Sequence, residues 1–326
     1  MGRPSVKYHQ PVMVREVLEY LRPVSGVIVD ACLGGGGHAR AILEALAASS
    51  EGTDSRSVCV GRAEPAAPTG DQPAGPCRWS RGLLGIDCDT EAIASARGQL
   101  SDFRNVEIVH ANYADLPTLV RGLGIRLVTG VLFDFGASLS QFTSGSRGFA
   151  IDSDGPIDMR FDQTAQVPTA LDWIHRSSEQ TLREWFRAFG QEPMSGRIAR
   201  VIHERRRELQ TTGDLARAVR NAVPVRFARK ALARVFQALR IVTNREIENI
   251  RYGLAGALEV LAPTGRLVAL SYHSLEDKEV KQFLRAGRVA GRLRVLTPKP
   301  IRPSPEEVAE NPRSRSARLR AAEVIS

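Results

Sequence analysis

The sequence predicts an α/β protein, a mostly parallel sheet with an inserted helical domain. Three observations predict it. A short apolar run, Val27-Ile28-Val29, ends in Asp30 and leads through Gly34-Gly35-Gly36-Gly37 into a helix-forming stretch at 39–46. Four further apolar runs follow with helical connections, at 83–87, 106–110, 130–134 and 266–272. Runs of this kind suit parallel strands buried on both faces. Between the fourth and fifth, from about residue 169 to 239, apolar residues recur at helical spacing, as in Leu182, Trp185, Phe186 and Phe189.

The first unit reads as strand, glycine loop and helix, the opening of a nucleotide-binding fold. Glycines let backbone close on a ligand and tolerate the positive φ of a tight turn. Gly34, Gly36 and Ala39 fit the G-x-G-x-x-G/A dinucleotide pattern. Asp30, four residues before the glycines, fits an S-adenosylmethionine loop better. Either way the ligand contains adenosine; spacing alone leaves both readings open, beside that of a glycine-rich surface turn.

A length of 326 residues predicts two domains. The composition, 43% hydrophobic and 25% charged, is that of a soluble enzyme. No apolar run approaches the roughly 20 residues of a bilayer span, and the N-terminal residues lack a signal-peptide core. The four cysteines, Cys32, Cys59, Cys77 and Cys88, form no C-x-x-C pair and have no histidine at ligand spacing. A reduced, cytoplasmic protein without a metal site or a membrane partner is expected.

The net charge of +9 favours a polyanionic partner, or reflects a basic, arginine-rich proteome. Arginines stud the helical region, among them Arg197, Arg200, Arg205, Arg217 and Arg229. They either hold phosphates or pair with Glu179, Glu184, Glu192, Glu204 and Glu208 on a solvated face. The alternation at 317–321 reads as a last edge strand or as part of a basic tail. Residues 49–82, rich in Gly, Pro, Ala and Ser without a period, read as a disordered insertion.

Ligands in such sheets sit at the carboxyl ends of the strands, which directs attention to Asp30, Asp87, His110, Asp134 and Ser271. With the insertion removed, Asp87 falls where an acid bonds ribose hydroxyls. The alternative is a helix-capping role, which Asp89 suits better. Asp134, followed by Phe135 and Gly136, can accept N–H bonds from the exocyclic amine of a base, or it holds loop amides. Tyr113 stacks on an adenine, faces a cation or simply packs. His273 lies past the fifth strand, where Ser274 with Asp277 behind it reads as a helix cap. No Ser/His/Asp spacing points to a hydrolase.

Eight stretches in order now carry a resemblance. They are Tyr8-His9-Gln10-Pro11-Val12-Met13, residues 30–38, Gly85-Ile86-Asp87-Cys88-Asp89 and Arg147-Gly148-Phe149. Further on come residues 154–160, 236–241, 271–277 and 311–317. With them the chain resembles the MraW (RsmH) family of ribosomal RNA cytosine-N4 methyltransferases.

The resemblance implies a class I methyltransferase (Rossmann-like) core at 1–140 and 236–326, split by a helical RNA-binding insert at 141–235. It implies S-adenosylmethionine as cofactor. It implies N4 of a cytidine in 16S ribosomal RNA, near the decoding centre of the small subunit, as the target. Carried over by motif, the cofactor residues are Gly36, Gly37, His38, Asp87, Tyr113, Asp134 and Gln141. Asp134 is also the candidate catalytic residue, while Asp158, Arg160 and His273 belong to the base pocket. Leu139 replaces a serine usual in the family, Asn244-Arg245-Glu246-Ile247 departs from its acidic pattern, and Lys230-Ala231 stands where a His-Pro pair is common. A nicotinamide-dependent oxidoreductase and a non-catalytic RNA-binding protein are the competing readings.

Overall fold

The computed structural model describes residues 11–49, 79 and 81–325. Most of the expected disordered insertion, and the start of the first family stretch, lie outside the described residues. The chain forms two compact units, one of residues 1–136 with 249–326 and one of Ala137–Glu248.

The first unit holds seven strands: β1 (Gly26–Asp30), β2 (Arg81–Asp87), β3 (Val106–His110), β4 (Val128–Asp134), β5 (Leu261–Ser271), β6 (Leu293–Val295) and β7 (Arg318–Val324). Their order is β3-β2-β1-β4-β5-β7-β6. β1 to β5 are parallel, and β7 runs antiparallel to both of its neighbours. Register aligns Asp30 with Gly85 and Leu132, Asp87 with His110, and Asp134 with Leu270. The three aspartates therefore stand at one edge of the sheet.

Alternation along each strand sends successive side chains to opposite faces. Val27, Val29, Leu84, Ile86, Val131 and Phe133 join one core with the helices Leu116–Gly122, Glu246–Val260 and Ser274–Val289. Ile28, Leu83, Leu132, Val268 and Leu270 join another with Val14–Leu21, Gly37–Ala48 and Thr90–Gln99. Covering both faces requires unbroken apolar runs, which explains the strand sequences. Each fully buried Val, Leu or Ile contributes about 1.5–3 kcal/mol.

Two expectations for the sheet change. β7 is not an edge strand, since it lies between β5 and β6. β6, three residues long, carries no readable period. In addition, β2 starts at Arg81, inside the expected insertion.

The second unit is helical. Ala170–Arg176, Glu179–Ala188, Ser195–Arg205, Thr212–Ala222 and Val225–Asn244 surround a core that includes Leu182, Phe186, Ile198, Leu215, Val235 and Phe236. Capping boxes Thr169/Asp172 and Thr211/Asp214 start two of these helices. The expected boundary at 235/236 would cut the helix Val225–Asn244, whose Val235, Phe236, Ala238 and Leu239 all enter this core. The unit thus extends to Glu248, and the motif at 236–240 belongs to it. Part of the solvated-face reading of its arginines is realised, in Arg205–Glu208 at 3.0 Å and Arg200–Glu179 at 3.8 Å. No helix among the described residues is long and apolar enough to cross a membrane.

Candidate functional site

The loop after β1 is tied to the tip of β2. The Gly34 N–H donates to Asp87 Oδ2 at 2.7 Å, and the Asp89 N–H donates to Asp87 Oδ1 at 2.8 Å. Asp89 caps the helix Thr90–Gln99 by accepting from the Glu91 N–H at 3.0 Å. The capping role therefore falls to Asp89, and Asp87 holds the glycine loop. Burial outweighs these amide bonds and pushes the Asp87 carboxyl up to about 6.

Gly36 has φ +88°, and a Cβ there would stand 3.3 Å from Ala96 of that helix. At Gly37 a Cβ would meet the Pro11 ring at 3.0 Å. Both glycines let the loop press against the protein.

His38 follows at the start of the helix Gly37–Ala48 and is buried. Its Nε2 lies 2.9 Å from the Val12 carbonyl, which can only accept, so this nitrogen carries a proton. Its Nδ1 lies 3.4 Å from Asp134 Oδ2. Burial lowers the imidazole's affinity for a proton, but the Asp134 carboxylate and then Asp30 and the Val12 carbonyl outweigh it and raise its pKa to about 9. At neutral pH His38 is a cation and both nitrogens donate.

Asp134 receives a second donor. The Tyr272 phenol donates to Asp134 Oδ1 at 2.8 Å. Burial and then the Asp134 charge push the Tyr272 phenol well above its usual range, so it keeps its proton. The Tyr272 and His273 amides both donate to Glu276 Oε2, at 2.7 and 3.1 Å, and Glu276 is 0% exposed.

Asp30 lies behind this pair at 0% exposure. Its Oδ1 accepts from the Cys32 N–H at 3.4 Å, while its buried Oδ2 has no hydrogen-bond partner among the described residues. Burial, offset in part by His38, raises the Asp30 carboxyl to about 7. The Cys32 thiol is pushed up by burial and by the surrounding carboxylates. Its reactive thiolate form is disfavoured.

Tyr113 opens the short 3₁₀ turn Tyr113–Asp115. Its ring meets Phe133 edge-on at 5.7 Å and Phe135 at 5.8 Å, on either side of Asp134 in sequence. A Cβ on Gly253 would come 2.6 Å from the Tyr113 ring, so that glycine makes room for it.

The expected residues thus divide. His38 and Asp134 touch, Asp30 acts on both electrostatically, and Asp87 grips the loop before His38. Gln141, Asp158 and Arg160 belong to the helical unit. There Gln141 forms a capping box with Ser138. Arg160 grips Asp158 through two bonds of 2.8 and 2.9 Å, and Asp158 takes the Arg160 N–H as well. Burial alone would raise the Asp158 carboxyl, but these bonds hold it below its usual value.

His273, not Ser274, caps the helix Ser274–Val289, with Glu276 as its capping-box partner. Glu276 sits three residues past His273, whereas Asp277 is turned to Arg318 and Arg320 of β7. Tyr272 and Glu276 lie in the stretch 271–277, yet no sequence pattern marks them as site residues. The S/T-x-x-E spacing that signals a capping box misses a histidine cap.

The sheet order, the antiparallel β7 and the glycine loop after β1 define a class I methyltransferase fold. Residues 6–58 and 78–325 match the MraW methylase family, and the chain belongs to that family. It is 42% identical over 331 residues to the ribosomal RNA small subunit methyltransferase H of Thermotoga neapolitana, covering 99% of this chain and 98% of that protein. The protein of the same name from Thermomicrobium roseum is 40% identical over 343 residues, covering 99% and 95%. Among solved structures, an rRNA methylase from Streptococcus thermophilus is 11% identical with a TM-score of 0.41, covering 100% of this chain and 99% of that one.

Proposed function

We propose that this protein transfers a methyl group from S-adenosylmethionine to N4 of a cytidine in 16S ribosomal RNA, near the decoding centre. The observation that carries the reading is Asp134. It is a carboxylate at the tip of β4, held between a cationic histidine of the glycine-loop helix and a phenol from the turn after β5. Family membership and the names of the two relatives support the RNA substrate.

The residues fit the cofactor. Three carboxyl groups, Asp30, Asp87 and Asp134, stand at adjacent strand ends, a setting that favours a ligand bearing a sulfonium cation and hydroxyl donors. Asp87 accepts the Gly34, Cys88 and Asp89 amides, and an ionised carboxylate offers about four lone-pair sites, so acceptor capacity remains for a ribose hydroxyl. When bound, the cofactor supplies an electrophilic methyl group.

Asp87 would hold the ribose and the Gly36-Gly37-His38 loop the cofactor's flank, with Tyr113 beside it. Asp134 would accept the N–H bonds of the target amine, localise its lone pair and orient it. The base must reach the site unpaired or flipped. The roles of Gln141, Asp158, Arg160 and His273 rest on family motifs. Basic residues of the helical unit would hold the RNA backbone.

The test is methyl transfer from labelled S-adenosylmethionine to small ribosomal subunits lacking the modification, with the product nucleoside identified by mass spectrometry. N4-methylcytidine, lost in Asp134→Ala, supports the reading. A different methylated nucleoside overturns the base assignment, and no transfer overturns the reaction.

A further inference from the structure

Asp134 has a terminal torsion that is broad and roughly two-fold, so nothing intrinsic fixes where its oxygens point. In this protein both are engaged. Oδ2 lies 3.4 Å from His38 Nδ1, and Oδ1 accepts from the Tyr272 phenol at 2.8 Å. The His38 side is anchored by the Val12 carbonyl.

The Tyr272 side is anchored more heavily. Its amide and that of His273 share Glu276 Oε2, and Glu276 is wholly buried. The next residue, Asp277, is gripped by Arg318 at 3.0 Å and Arg320 at 2.7 Å, both from β7. The turn that carries Tyr272 is therefore closed onto the helix that follows it and, through Asp277, held to β7. A phenol facing Asp134, Glu276 and Glu307 has every electrostatic reason to remain a donor.

We propose that Tyr272 is a positioning residue, whose phenol fixes the orientation of the Asp134 carboxylate toward the target amine. This rests on the methyl-transfer reading above. The phenol does not touch the reacting atoms. It leaves the outer lone pairs of Asp134 as the ones that can meet an incoming N–H, and Glu276 keeps the phenol in place. Geometry of this kind governs rate more than binding, because misplacing one group by about 1 Å can cost on the order of 100-fold.

The test uses the full chain with Tyr272→Phe, which keeps the ring and removes only the donor. We expect kcat to fall about 10- to 100-fold while cofactor affinity by calorimetry changes less than about threefold. Wild-type kcat overturns the proposal, as does a cofactor affinity that falls as far as kcat.

A second readout needs no activity. In histidine-labelled protein followed by carbon NMR, His38 should titrate about half a unit higher in Tyr272→Phe, because Asp134 then leans on its remaining partner. An unchanged His38 titration overturns the proposal. Should the wild-type protein transfer no methyl group to ribosomal RNA, the substrate reading fails while the NMR comparison still decides on Tyr272.

Discussion

The Gly34 amide donates to the Asp87 carboxylate at 2.7 Å, binding the loop after β1 to the tip of β2 across 53 residues. One side chain therefore shapes the glycine loop and, in the proposed function, also meets the cofactor's ribose. Asp87→Ala leaves the Gly34 and Asp89 amides without their acceptor. It should destabilise the fold by about 1–3 kcal/mol and weaken cofactor binding at least tenfold. Calorimetry of cofactor binding beside a denaturant titration checks both. Lost stability with intact affinity would confine Asp87 to holding the loop.

His38 gives a pH dependence of definite sign. Its pKa is raised from 6.5 to about 9 in the folded protein. The stability it contributes is fully present below the unfolded value and is lost as pH rises through about 9. Thermal melting from pH 6 to 10 should show this loss, and it should shrink in His38→Asn. Equal alkaline loss in the variant would assign it to other groups.

Asp30 shifts stability in the same direction, but over a lower pH range and because its charged form is the disfavoured one. Its carboxyl is raised from 3.8 to about 7, so ionising it in the folded state costs stability as pH climbs between those values. Asp30→Asn should raise the melting temperature by several degrees at pH 8, and by no more than about one degree near pH 4. A variant less stable at pH 8 would mean that the charge is favoured where it lies.

Gly36 and Gly35 offer a matched pair. Gly36 has φ +88° and would set a Cβ 3.3 Å from the Ala96 backbone, whereas a Cβ on Gly35 would find only the Ser95 hydroxyl at 3.7 Å. Gly36→Ala should cost about 1–3 kcal/mol from left-handed strain and crowding, and Gly35→Ala under about 1. Denaturant midpoints of the two variants compare them directly. Equal costs would show that the neighbouring helix yields.

In the helical unit, Arg160 closes on Asp158 with two parallel bonds. Arg160→Ala should cost about 1–3 kcal/mol by removing the charged partner of a buried carboxylate, and Arg160→Lys should restore little of it because an ammonium lacks the fork. Hydrogen exchange around Asp158 reports the change. Full rescue by lysine would reduce the contact to charge alone.

Much of the fold was legible because burial on both faces forces apolar runs, and five such runs became β1 to β5. The strand ends were legible for the same reason, since the first polar residue after a buried run marks its exit, as at Asp30, Asp87 and Asp134. β7 was harder to read. Its arginines suggest an exposed strand, yet Arg320 is buried against Asp277. The helical boundary was misplaced because Phe236 and its neighbours continue one helix, and periodicity does not tell which core a helix serves. Within the site, Asp134 could be picked from its position. Tyr272 could not, because its role depends on a turn after β5 meeting a side chain 138 residues earlier.

The placement of β7 between β5 and β6 bears on how the chain reaches this state. β5 runs from Leu261 to Ser271, and its partner does not begin until Arg318. During that interval the edge of β5, with Leu267-Val268-Ala269-Leu270 along it, is an unpaired template for another chain. Docking of β7 closes that template and simultaneously brings Arg318 and Arg320 onto Asp277. Self-association during refolding should therefore be most sensitive to changes in β7, a strand outside the three aspartate tips, and charge-removing variants at Arg320 should aggregate before they lose their cofactor.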